Sequence, residues 1–170
     1  MKKVLIVNSS PREQGNCSIL CDEFGRGVVM NEGNEVNRID LNKSNYDFFR
    51  ENQEEEDDIL NIAHQMMDAN VIVLATPVYF YNMSGQLKVL IDRMMPYFTQ
   101  IHDKDFYFIL TAAISRSAME SAVDSLYGFT DSLNNCDVKS VIYGYGVNEK
   151  GDIYNHPALQ EAYRIAAGIK

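Results

Sequence analysis

Directly after an apolar run, Val4-Leu5-Ile6-Val7, the chain reads Asn8-Ser9-Ser10-Pro11-Arg12-Glu13-Gln14-Gly15-Asn16-Cys17-Ser18 and then turns helical. These residue types suit an anion. Ser9, Ser10 and Ser18 offer hydroxyls, Arg12 a full positive charge, and Gly15 a close backbone approach. A helix that starts here adds free N–H groups and the positive end of its dipole. On position alone, an ordinary loop with Asn16 as the helix N-cap explains the stretch equally well. It is neither GxxxxGK[ST] nor GxGxxG, so the two common nucleotide-loop readings lose their support.

A second stretch carries different chemistry. Thr76-Pro77-Val78-Tyr79-Phe80-Tyr81-Asn82-Met83-Ser84-Gly85-Gln86 follows the apolar run Val71-Ile72-Val73-Leu74. Successive side chains of an extended chain point to opposite sides, so Tyr79, Phe80 and Tyr81 cannot all face the core. They suit the edge of a planar aromatic ligand, with loop N–H groups for its polar rim. Ser84 or Asn82 then caps the next helix.

Both stretches need elements that place them. Strand-like runs lie at Val4–Val7, Val36–Leu41, Val71–Leu74, Phe106–Leu110 and Val138–Tyr143. Continuous apolar runs fit parallel strands buried on both faces, while the alternating Val36–Leu41 fits an edge. Between them run five stripes of helical period: Cys17 to Val28, Ile59 to Met66, Leu87 to Met94, Met119 to Leu133 and Leu159 to Ala166. Strand and helix alternate five times. The expected fold is a three-layer α/β sandwich with a five-stranded parallel sheet in the flavodoxin-like order 2-1-3-4-5, helices on both faces, and ligands at the carboxyl ends of the strands. At 170 residues the expected organisation is one domain, 1–170. Thr111-Ala112-Ala113 after the fourth strand falls beside the same crevice, where small side chains let a ring approach. Gly144-Tyr145-Gly146 after the fifth could rim it, and plain turn chemistry explains it equally well.

The first stretch resembles the S-P-R-x-x-G-N-[TS] phosphate loop of flavodoxin-like NADPH-dependent FMN reductases. The second resembles their P-V-Y-x-x-x-M-S-x-Q-L-K-x-x-I-D-R signature, and the likeness runs over nearly the whole chain. The resemblance implies FMN as cofactor, NADH or NADPH as electron donor, and hydride transfer borne by the flavin without a protein acid or base. It assigns Ser9, Ser10, Arg12, Asn16, Cys17 and Ser18 to the phosphate. It assigns Pro77, Val78, Tyr79, Phe80, Asn82 and Met83, with Thr111, Ala112 and Ala113, to the ring. Cys17 stands where the family has a threonine, and a thiol donates more weakly than a hydroxyl; either Ser18 takes over that contact or it is lost. Tyr81 is bulkier than the glycine often found near this position. Lys88, Asp92 and Arg93 read as structural or interfacial, Arg93 with an acidic partner. The resemblance also implies a homodimer or a dimer of dimers.

The likeness is strongest to the iron–sulfur flavoprotein branch, whose members carry a compact cysteine cluster after the second strand. Asn42 to Asp58 has no cysteine, so no iron–sulfur cluster is expected. The three cysteines, Cys17, Cys21 and Cys136, form no CxxC pair, and His64, His102 and His156 are isolated, so no metal is expected. A net charge of −9 argues against nucleic acid and anionic membrane as partners. Eight acidic residues fall between Asp47 and Asp68; they read as a solvated face, with Glu54 to Asp58 at the positive end of the second helix. The first apolar run is too short for a membrane span or a signal core, and a cytoplasmic location is expected.

The leading reading is therefore an FMN-dependent oxidoreductase acting on a small-molecule acceptor such as a quinone, a nitro compound or free flavin. The alternative is a one-electron carrier without nicotinamide turnover. A signalling receiver lacks its acidic residues here, since Asn8-Ser9 and Thr76-Pro77 occupy their places.

Overall fold

The computed structural model describes residues 1–51 and 57–170. Five parallel strands form the sheet: β1 (Lys3–Asn8), β2 (Glu35–Asp40), β3 (Val71–Tyr79), β5 (His102–Ala112) and β6 (Asn134–Tyr145). Their spatial order is β2-β1-β3-β5-β6, which is 2-1-3-4-5 when the long strands are counted in sequence. A two-residue strand, β4 (Asn82–Met83), folds back antiparallel on β3 and has no counterpart in the sequence reading. The helices are α1 (Asn16–Val28), α2 (Ile59–Asp68), α3 (Gly85–Arg93), α4 (Glu120–Asp131) and α5 (Pro157–Ala167). Among the described residues, no helix is long and apolar enough to cross a membrane.

The period-2 geometry of the strands divides the core in two. Leu5 and Val7 of β1, Ile72 and Leu74 of β3, and Phe106 and Phe108 of β5 face α2, α3 and α4. Val4, Ile6, Val71, Val73 and Ile109 face the other way, onto α1 and α5. Only the central strands are buried on both faces. The other edge strand, β6, has Lys139 exposed and Ile142 fully buried, with Val138, Ser140, Val141 and Tyr143 half-buried, so the two-sided burial expected for Val138–Tyr143 is only partial. It lies at the sheet's margin with one neighbour, β5.

Two features lock the layers. Where α1 meets α5, a Cβ on Gly27 would lie 2.5 Å from the Tyr163 carbonyl oxygen and 2.7 Å from the Ala166 Cβ. The helices approach this closely because Gly27, Ala162 and Ala166 are small. On the opposite face, Arg93 closes α3 with its side chain only 3% exposed. Its guanidinium donates to the Asp57 carboxylate at 2.7 and 3.3 Å and to the Asp47 carbonyl at 2.9 Å. This supplies the acidic partner expected for Arg93 and fastens the segment before α2. Lys88 and Asp92 pair with each other on the exposed side of α3. Asp57 accepts the Ile59 N–H at 3.0 Å and so serves the N-terminus of α2. The expected seat of Glu54 to Glu56 there lies outside the described residues.

Burial pushes the Asp57 carboxyl up, but the Arg93 hydrogen bond and charge and the Ile59 N–H outweigh it, and its pKa falls below the ordinary value. The stability it contributes is full above the unfolded pKa of about 4 and is lost as pH falls through the lower folded value. Arg93→Met should destabilise the fold by about 3 kcal/mol in urea denaturation near neutral pH, because Asp57 is left unpaired, with the deficit shrinking in acid. Gly27→Ala should destabilise by about 1 to 3 kcal/mol through overpacking, the reverse of the gain that alanine brings to an open helix.

Candidate functional site

The C-terminal ends of β1, β3 and β5 lie side by side, with Asn8 opposite Ala75 and Pro77 opposite Thr111. A crevice of about 200 Å³ opens at this edge. Pro77, Val78 and Tyr79 form one wall, and Thr111, Ala112 and Ala113 another. Ser10, Arg12, Asn16 and Cys17 close one end. The three segments singled out in the sequence thus meet in one concavity. Arg12 is the one charged side chain among the residues lining it, in a chain of net charge −9.

Local backbone chemistry explains that end. Helix α1 starts after Gly15, which serves as N-cap and has no side chain to bond the first turn. Asn16 therefore does not cap the helix. The first-turn N–H groups are left for a partner outside the helix. The turn before them is tight: Gly15 N–H donates to the Arg12 carbonyl at 3.1 Å, and Gln14 has φ of 55°. A Cβ on Gly15 would lie 3.0 Å from the Arg12 Cβ and 3.1 Å from its carbonyl oxygen.

Not every predicted residue reaches the crevice. Ser9 is fully buried; its hydroxyl donates to the Ala75 carbonyl at 2.9 Å and accepts from Ser84 Oγ at 2.8 Å. It joins β1 to β3 and to the start of α3, where Ser84 is the N-cap. The Ser18 hydroxyl accepts from Asn8 Nδ2 at 3.0 Å, and Ser18 is not among the residues lining the crevice. Asn16 spends its amide on the loop after β6: Nδ2 donates to the Glu149 carbonyl at 2.8 Å, and Oδ1 accepts from Gly151 and Ile153 N–H at 3.0 and 3.3 Å. Cys17 is 1% exposed at the base of the crevice. Met83 packs into the core beside α3 and α4. Asn82 turns its side-chain oxygen to the Met83 N–H at 2.8 Å.

Sequence reading passed over three contributors. Asn8 is buried and donates to both Ser18 Oγ and Asp40 Oδ1 while its oxygen accepts from Ser10 N–H at 3.2 Å. A polar residue ending an otherwise apolar buried strand was the available signal. Burial pushes the Asp40 carboxyl up, but the Asn8 amide and the Arg38 guanidinium outweigh it and hold its pKa below the ordinary value. Val147 and Asn148, beyond β6, also line the crevice, and nothing in their types marks them.

The aromatic stretch forms a hairpin rather than an open loop. Val78 pairs with Met83 and Tyr79 with Asn82, leaving Phe80 and Tyr81 as the two turn residues. Their φ values are 49° and 68°. Both central residues of such a turn need positive φ, a demand that asparagine and glycine meet and bulky side chains resist. Phe80 is nonetheless completely exposed and Tyr81 is 62% exposed. Two aromatics are held in strained backbone and face water, and neither Phe80, an expected ring contact, nor Tyr81 is among the residues lining the crevice.

A family model described as NADPH-dependent FMN reductase matches residues 2–145. The chain belongs to this family and is one of its enzymes. The iron-sulfur flavoprotein MJ1083 of Methanocaldococcus jannaschii is 30% identical over 137 residues, covering 75% of this chain and 70% of that protein. Among solved structures, an azoreductase from Bacillus anthracis str. Sterne matches with a TM-score of 0.78 at 18% identity, covering 99% of this chain and 100% of that one. An NAD(P)H:quinone oxidoreductase from Methanothermobacter marburgensis matches at 0.74 and 16%, covering 98% and 96%. At such identities these two establish the shared flavodoxin-like fold. This reductase-family chain carries Phe80-Tyr81 at its strained turn. Replacing the pair by Phe80→Asn with Tyr81→Gly should raise stability by about 1 to 3 kcal/mol in urea denaturation.

Proposed function

We propose that this chain is an NAD(P)H-dependent oxidoreductase that holds FMN in the crevice, with the flavin phosphate at the N-terminus of α1 and the ring between Pro77–Tyr79 and Thr111–Ala113. The observation that carries this reading is the meeting of an uncapped helix end and Arg12 with walls of small and aromatic residues in one concavity. The donor set fits a phosphate: first-turn N–H groups, the Ser10 hydroxyl and the Arg12 guanidinium. The walls fit a planar ring, because Ala112 and Ala113 leave room and Tyr79 offers an aromatic face. Bound flavin supplies the redox chemistry between a reduced nicotinamide and a small-molecule acceptor such as a quinone, a nitro compound or free flavin. The protein orients the ring and keeps water from one side of it.

The reading excludes an iron–sulfur cluster, although a relative carries that name. The chain has three cysteines in all. Cys17 and Cys21 are buried on α1, and Cys136 sits at the opposite end of the sheet, near the start of β6. Among the described residues, no group of three or more His, Cys, Asp or Glu side chains is placed to hold a metal. A second copy of the chain is proposed to cover the groove of about 350 Å³ between α3 and α4, where Met95 and Phe98 stand exposed among apolar neighbours. The three free thiols fit a cytoplasmic setting.

Turnover separates this reading from a flavodoxin-like carrier. Purified protein with FMN should consume NADH or NADPH steadily when a quinone or nitroaromatic is supplied. Absence of consumption with either nicotinamide across several acceptors would favour the carrier. Arg12→Ala should weaken FMN binding by tenfold or more, roughly what a charge-assisted hydrogen bond is worth, while riboflavin affinity stays the same.

A further inference from the structure

The match to the family ends at residue 145, yet the crevice does not. The loop between β6 and α5 contributes Val147 and Asn148 to its lining. That loop is bound to the anion-binding loop by four hydrogen bonds. Three belong to Asn16, whose amide reaches Glu149, Gly151 and Ile153. The fourth runs from Arg12 Nη1 to the Asn148 carbonyl at 3.0 Å. The loop is also shaped from within. Asp152 Oδ2 accepts the N–H groups of both Asn148 and Glu149 at 2.9 Å, and Gly151 takes φ of 92°. Its far end is anchored by Ile153, fully buried and so close to Gly144 that a Cβ there would lie 2.8 Å from its Cδ1.

We infer that Asn16 and Asp152 are positioning residues for the flavin phosphate: Asp152 sets the shape of the β6–α5 loop, and Asn16 clasps that loop to the start of α1, fixing Arg12 and the first-turn N–H groups. The inference rests on the FMN reading above. In it the Asn16 side chain acts as a clasp, since its oxygen accepts two loop N–H groups and its amide donates to the Glu149 carbonyl. Among the described residues Asp152 bonds within the loop, and a carboxylate has no attraction for a phosphate. Its effect is therefore transmitted through Asn148, whose carbonyl holds Arg12.

The test compares FMN with riboflavin, which lacks the phosphate, by titrating flavin-free protein and its variants. Asn16→Ala and Asp152→Ala should each weaken FMN about tenfold and leave riboflavin unchanged, and the double variant should lose less than the product of the two. Asp152→Asn keeps an oxygen that accepts both N–H groups and should bind FMN like the wild type. In flavin-free Asn16→Ala, hydrogen exchange at the Gly151 and Ile153 amides should quicken, which reads the clasp without any flavin. Wild-type FMN affinity in Asp152→Ala would overturn the inference while leaving the FMN site intact. So would equal loss of FMN and riboflavin, which marks general damage to the fold, or equal effects of Asp152→Ala and Asp152→Asn, which marks charge. A wild type that binds FMN no better than riboflavin would remove the phosphate site itself, and the inference with it.

Discussion

Helix α1 begins at the carboxyl edge of β1 with no side chain to satisfy its first turn. Gly15 occupies the N-cap position, and the asparagine that follows is turned away. N–H groups left in that state are costly unless water or a ligand meets them. Around this end the chain builds a tight turn with Gln14 at positive φ, places Arg12 beside it, and holds Ser10 by way of Asn8. The sheet makes the arrangement rigid. Buried on both faces, β1 and β3 cannot shift register without exposing an entire row of side chains, so the edges carrying Asn8 and Pro77 stay aligned.

The polar groups behind the crevice are satisfied among themselves. Ser84 joins Ser9, Ser9 joins Ala75, and Thr76 Oγ1 accepts the Ser84 N–H at 2.9 Å. This buried chain ties β1, β3 and the start of α3 into one unit. It also explains why the two adjacent serines differ. Ser9 holds the scaffold together, while Ser10 faces the crevice. The contrast between the satisfied back of the crevice and the open N–H groups at the start of α1 supports the proposed phosphate site.

The fold was legible in the sequence because it rests on local rules. Continuous apolar runs gave the central strands, and apolar stripes gave all five helices. Membership of the crevice was legible for Ser10, Arg12, Pro77–Tyr79 and Thr111–Ala113, since each sits where a parallel strand ends. Other features depend on distant partners. Asn16 was read as a cap or a phosphate ligand, and its hydrogen bonds go to residues 149–153, more than 130 positions away. The hairpin at Phe80-Tyr81 was hidden by its composition, because the turn type that it adopts calls for asparagine and glycine. Edge placement left the apolar run of β6 mostly half-buried, for a strand's burial follows from its neighbours as well as its residues.

The central claim is that the crevice at the α1 N-terminus holds FMN. It is tested most directly by purifying the protein, denaturing it and identifying the flavin released, with added FMN supplied if the protein loses cofactor on purification. The account predicts a yellow protein that releases FMN in about equimolar amount. A colourless protein that takes up no added FMN would contradict it.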